Sequence, residues 1–256
     1  MLGYNARYII QNFGTLCWTI FVAPVGWAFA PILVSLCKGE FAYLKTRFNR
    51  MMFYNYWIGF INEGYLFLAV CAGLNLFYFK WSTYGDAINS LLALFCGSFL
   101  IIFPFFVGIF YRKQSNFNQI LNRNEEFLSR FGSAIVGLNF KRRGKLALIN
   151  TCASIVRKLS LAYIVVFWQS QPTFSIFVVN FQAILMMMTS GLTEPMTDRV
   201  ANTMELVNEA FVLLTTYHLY QFTEFMTHLD NRSLVGRSLM LLIIINVVLN
   251  IGVVVI

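Results

Sequence analysis

Charge is scarce in this chain, so the few ionisable side chains set among apolar residues are where chemistry would be found. Glu63 is the one charged residue between Met51 and Phe79, in the run Phe60-Ile61-Asn62-Glu63-Gly64-Tyr65. A carboxylate inside an apolar stretch must be paired, wet or protonated, because an isolated buried charge is strongly disfavoured. Glu63 is therefore read either as an ion or proton site or gate partner of Arg157 or Lys158, or as half of a structural pair or an interfacial residue. Arg157 and Lys158 stand together inside Leu146–Trp168. They either snorkel to an interface or face a wet or paired site among helices. A third set is periodic: Glu205, Glu209, Thr216, Tyr220, Thr223 and Thr227 are spaced 4, 7, 4, 3 and 4 residues apart, which places them on one helical face. That stripe either lines a pore, with Glu205 and Glu209 drawing cations to its mouth, or packs against other helices through hydrogen bonds.

Other chemistries lack their residues. The sequence contains no GxSxG, HExxH, P-loop or Gly-rich dinucleotide turn, so no enzyme activity and no cofactor is expected. His218 and His228 are ten residues apart, on different helical faces, which argues against a metal site built on both. Cys17, Cys37, Cys71, Cys96 and Cys152 all fall in apolar stretches without a CxxC, so neither a disulfide framework nor a zinc site is expected. Met186-Met187-Met188 reads as soft packing, since adjacent helical residues point to different sides.

The elements that position these residues follow from composition. Of the 256 residues 58% are apolar and 12% charged, against roughly 45–50% and 25% in soluble domains. A soluble fold of this length needs more polar surface, so the chain is expected to be all-α: one polytopic integral membrane helix bundle over residues 1–256. Stretches near 20 apolar residues suggest seven spans, at about 8–37, 51–79, 87–111, 146–168, 173–193, 206–226 and 238–256. The polar Gln169-Ser170-Gln171-Pro172 is the expected hairpin between the fourth and fifth. The fourth is awkward, because Arg157 lies about 11 residues, or roughly 17 Å, from that turn in a core of about 30 Å.

The net charge of +8 is concentrated in segments 38–50 and 112–145. The positive-inside rule assigns both to the cytoplasm, with the N-terminus outside and the C-terminus inside. This argues against nucleic acid as partner and for the bilayer itself. Segment 112–145 is the expected basic amphipathic cytoplasmic loop, and Lys141, Arg142, Arg143 and Lys145 are its densest block, suited to anionic lipid headgroups. The sequon Asn231-Arg232-Ser233 falls on the expected outer side, and Trp57, Trp81 and Trp168 lie near span ends, as an aromatic belt requires. The N-terminus lacks the basic region and small-residue cleavage site of a signal peptide.

Several of these residues also form a pattern. Tyr56-Trp57-Ile58-Gly59-Phe60-Ile61-Asn62-Glu63-Gly64-Tyr65, Asn75-Leu76, Trp81-Ser82-Thr83-Tyr84-Gly85-Asp86, Arg157-Lys158-Leu159 and Asn208-Glu209 followed by Tyr217-His218-Leu219 resemble the C-terminal multi-span region of large ciliate-type protist surface proteins. That region is similar to the TRP-like transmembrane domain. The resemblance covers nearly the whole chain, although the usual pair after the third loop is Arg-Arg and here it is Arg157-Lys158. It implies a plasma or ciliary membrane location, a start before Met1, and a cation-channel or mechanosensory role in some relatives. Two functions are therefore expected to compete: a channel or sensor bundle, alone or as a homo-oligomer, and a non-conducting anchor or accessory subunit holding other membrane or extracellular subunits. A transporter is a weaker third, because Pro104 and Pro172 do not occupy matching halves.

Overall fold

The computed structural model describes residues 54–223 and 229–255, together with Val25. Apart from Val25, the expected span 8–37 lies outside the described residues, as does Thr227. Of the described residues 86% are helical and none belongs to a β-strand. The long helices are α1 (Tyr56–Phe77), α2 (Tyr84–Arg112), α6 (Ala147–Phe167), α7 (Pro172–Thr193), α8 (Arg199–Tyr220) and α9 (Leu229–Val255). Between α2 and α6 lie three short ones, α3 (Gln114–Leu121), α4 (Glu125–Phe131) and α5 (Phe140–Arg143), with 3-10 turns at Gly132–Ala134 and Gly144–Leu146.

Among the described residues, five helical stretches are long and apolar enough to cross a membrane: Tyr56–Phe77, Tyr84–Arg112, Phe140–Phe167, Pro172–Thr193 and Arg232–Val253. This is the pattern of an integral membrane protein. The expected span at 206–226 is instead α8, which begins seven residues earlier and carries Arg199, Glu205 and Glu209. The described chain divides into two compact units. The first comprises the residues up to Val136 with Lys158–Phe167, the second Gly137–Arg157 with the residues from Trp168 onward, so α6 contributes its first half to the second unit and its second half to the first.

The first unit is built on the antiparallel α1–α2 pair. Its interface consists of small residues, Cys71, Ala72 and Ala93, with Phe67, Leu76 and Cys96 packed around them. Without Cβ atoms at Gly73 and Gly97, Val166 and Leu76 can approach the backbone, each 3.4 Å from where a Cβ would stand. Helices in lipid gain little from burying apolar area against one another, so close packing at small residues must supply much of the attraction. Helix α2 starts sharply because the Thr83 hydroxyl accepts from the Asp86 amide and donates to its carboxylate, and that carboxylate also suits the positive end of the helix dipole. Pro104 inside α2 has no N–H, which deprives the Leu100 carbonyl of its helical donor. The fully buried Tyr65 hydroxyl donates to that same carbonyl. At the far end of α2 the Tyr111 hydroxyl donates to the Phe131 carbonyl, and the rings of Phe110, Phe127 and Phe131 pack against one another.

The second unit is built on α7 and α8, with α9 against α8. Pro172 opens α7 where a missing N–H costs nothing. Glu194 closes it in a left-handed conformation, φ 38°, with its amide on the Ser190 carbonyl at 2.9 Å. A strap from Gly137 to Arg143 holds the α7–α8 turn. The Asn139 amide donates to the Pro195 carbonyl at 2.7 Å, and the Thr197 amide to the Gly137 carbonyl at 2.8 Å. The Asn202 side chain folds back onto both backbone groups of Met196, and Asp198 caps α8 by accepting from the Val200 amide at 3.2 Å.

Candidate functional site

Four of the residues that stood out in the sequence, Arg157, Glu205, Glu209 and Thr216, lie on a polar seam in the second unit. Starting at the N-terminal end of α8, Glu205 Oε1 accepts from the Asn150 amide of α6 at 2.9 Å. Asn150 in turn accepts from the Ser190 hydroxyl of α7 at 3.1 Å. One turn further along α8, Glu209 pairs with Arg157. Both side chains are withdrawn from solvent, at 16% exposure for Arg157 and 11% for Glu209. Still further, the Thr216 hydroxyl donates to the Asn180 side chain of α7. On the neighbouring flank of α8, Asn208 and Asn250 of α9 exchange amide hydrogen bonds of 3.1 and 2.8 Å. From Glu205 to Thr216 the seam runs roughly 16 Å along the axis at 1.5 Å per residue.

The local reasons are simple. Helical spacing puts Glu205, Glu209 and Thr216 on one face of α8, and none of them can face lipid without partners. Asn150 and Arg157 are seven residues apart, two turns of α6, and so meet that face in the same order. The seam is not saturated. Glu205 Oε2 and Glu209 Oε2 are both buried with no hydrogen-bond partner within the protein. A half-satisfied carboxylate in a low-dielectric setting is a costly arrangement, and that is where ions, protons and conformational changes are accommodated.

The remaining stripe residues lie apart from this centre. Tyr220 and Thr223 line an open groove of about 760 Å³ with Phe174, Phe177 and Arg232. The Thr223 hydroxyl donates back to the Tyr220 carbonyl at 2.6 Å. In the first unit, Lys158 donates to the Asn62 carbonyl at 2.8 Å, and the exposed Glu63 carboxylate is close enough to act on its charge. Of the two adjacent cations, Arg157 is in an ion pair with Glu209 and Lys158 hydrogen-bonds a backbone carbonyl.

In the basic block, Arg142 and Arg143 both bind Glu194 Oε2, at 3.0 and 2.6 Å, while Lys141 and Lys145 are exposed. The hydrogen bond from Arg143 and the charge of Arg142 hold the Glu194 carboxyl below its usual range. Among the described residues no group of three His, Cys, Asp or Glu side chains could hold a metal ion. Asn150, Asn180, Ser190, Asn208 and Asn250 carry much of the seam yet show no spacing signal. Their one cue is an amide or hydroxyl inside an apolar run.

Compared with models of known protein families, with curated proteins and with solved structures, the chain matches none. Its function must therefore be argued from the seam.

Proposed function

We propose that the chain is the membrane domain of a larger surface protein, a TRP-like seven-span bundle whose polar seam fastens α6, α7, α8 and α9 together. The observation that carries this reading is that the α8 stripe finds partners on other helices: Asn150 for Glu205, Arg157 for Glu209 and Asn180 for Thr216. Hydroxyls and carboxylates used in this way are interhelical fasteners. The topology read from the charges is supported within each unit. In the second, the basic strap 137–143 and the turn 194–198 share one end, while the turn at 168–171 shares the other with Thr223 and Arg232. In the first, the Ser133 amide on the Asn55 side chain ties the 112–145 loop to the start of α1. The orientation is N-terminus outside and C-terminus inside, in a plasma or ciliary membrane.

A second reading rests on the two orphaned oxygens. If Glu205 Oε2 and Glu209 Oε2 take part in cation passage, the bundle is a channel or sensor and the Arg157–Glu209 pair its gate. Recording from the purified chain in planar bilayers, beside Glu209→Gln and Glu63→Gln, separates the two. The fastening role requires silence from folded protein and a loss of stability on Glu209→Gln. Cation currents altered by Glu209→Gln would overturn it in favour of the channel.

A further inference from the structure

Neither functional reading gives a task to the basic block that precedes α6. In the fold this block gains members that the sequence keeps apart. The strap from Gly137 and the α7–α8 turn are bound edge to edge, through the Asn139 amide on the Pro195 carbonyl and the Thr197 amide on the Gly137 carbonyl, with Leu138 and Met196 paired between them. That pairing brings the segment 141–145, with Lys141, Arg142, Arg143 and Lys145, to the segment 194–199, with Glu194, Asp198 and Arg199. Five cations thus share one patch with two carboxylates, an excess of three positive charges.

Within the patch the arginines form an anion clamp. Arg142 and Arg143 both place Nη2 on the same oxygen, Glu194 Oε2, at 3.0 and 2.6 Å, and Arg199 is close enough to act on that carboxylate's charge. Convergent guanidiniums are the arrangement that holds carboxylate and phosphate oxygens alike. The clamp is open: with its bonds made, the Arg142 side chain is still 55% exposed and that of Glu194 40%, so another anion can reach it. Glu194 also stands in a left-handed conformation, φ 38°, which glycine adopts far more readily. The backbone gives no reason for a glutamate at that position, whereas the arginines do.

The surroundings indicate which anion. The patch joins the start of one membrane-length stretch, Phe140–Phe167, to the end of another, Pro172–Thr193. Residues that flank the cations in the chain are apolar and exposed: Leu146, Ile149, Leu192 and Val200. Basic side chains set among apolar ones at the end of a span lie at headgroup depth. An excess of positive charge at that depth selects anionic over zwitterionic lipid.

We propose that Arg142, Arg143 and Arg199 bind the phosphate of an anionic phospholipid headgroup, which competes with Glu194 for the two guanidiniums that it holds. The site needs only the membrane-length helices and stands whether α8 fastens or conducts. The test is native mass spectrometry of the full chain in detergent, titrated with phosphatidylglycerol, phosphatidylcholine or inorganic phosphate. Phosphatidylglycerol should be retained roughly tenfold more tightly than phosphatidylcholine, the scale of one or two basic side chains near an anionic surface. Arg142→Gln with Arg143→Gln should abolish that preference. Arg199→Gln, which leaves the ion pairs of the strap in place, should weaken it about threefold. Glu194→Gln keeps every cation and should tighten phosphatidylglycerol by a similar factor. Arg112→Gln with Lys113→Gln removes equal charge from the first unit and should leave the preference unchanged. Equal retention of the two lipids, or a preference lost as fully in the Arg112–Lys113 variant, would overturn the site. Unchanged phosphatidylglycerol retention in Glu194→Gln would overturn the competition. Inorganic phosphate that displaces the lipid at equal concentration would overturn the lipid as its source.

Discussion

The two units solve the same problem, holding helices together in lipid, by opposite means. In the α1–α2 unit the interface is small and apolar, with Cys71, Ala72 and Ala93 at its centre and Gly73 and Gly97 allowing close approach. The hydrogen bond from Tyr65 to the Leu100 carbonyl answers a local defect that Pro104 creates. In the α7–α9 unit the interface is polar, and Glu205, Glu209, Thr216 and Asn208 each reach a different helix or a different position on it. Dispersion between small residues depends on shape, so the first unit should be sensitive to volume. Paired polar groups depend on having both partners, so the second should be sensitive to charge.

The largest test of that contrast is Arg157→Leu or Glu209→Leu alone. Each removes one member of a buried ion pair and is expected to cost about 3–5 kcal/mol, whereas the double replacement should recover most of the loss. Reversible unfolding in mixed micelles checks both, and two additive single losses would show that the pair is not coupled. Next in size is Gly73→Leu, which forces a side chain against Val166 in the first unit. Overpacking of this kind costs about 1–3 kcal/mol. A leucine tolerated there would remove the argument from volume.

Tyr65→Phe should cost about 1 kcal/mol, because it orphans the Leu100 carbonyl. The informative partner is Pro104→Ala, whose N–H restores the helical donor to Leu100. Tyr65→Phe should therefore be nearly neutral in the Pro104→Ala background. Equal effects in both backgrounds would mean that the hydroxyl does not compensate for the proline.

The smallest expected effect lies outside the spans, at Glu194. Its folded pKa is lowered by the Arg143 hydrogen bond and by Arg142, so the carboxylate stabilises the fold above its unfolded value of 4.5. That contribution is lost as pH falls through the lower folded value. Wild type should thus unfold at a higher temperature than Glu194→Gln near neutrality, and the two should converge in acid. Added salt should narrow the difference, since the group is surface-exposed.

The polar stripe on α8 was legible in the sequence because helical periodicity is a local property: Glu205, Glu209 and Thr216 share a face in any helix. Their partners were not. Asn150 lies 55 residues from Glu205, Arg157 52 from Glu209 and Asn180 36 from Thr216. No spacing rule connects residues on separate helices. Thr223 is a stripe member whose hydroxyl donates to its own helix, at the Tyr220 carbonyl.

Composition alone determined that this is a helical membrane protein, because a chain with 12% charged residues cannot cover a soluble fold and lipid leaves helices as the simplest way to satisfy the backbone. Periodicity determined which side chains share a face, and proline and capping residues determined where helices start. Only the tertiary structure decided which cation meets which carboxylate and that Tyr65 answers Pro104. Those outcomes depend on which helices lie side by side and at what depth, and that is a property of packing between distant segments rather than of any one of them.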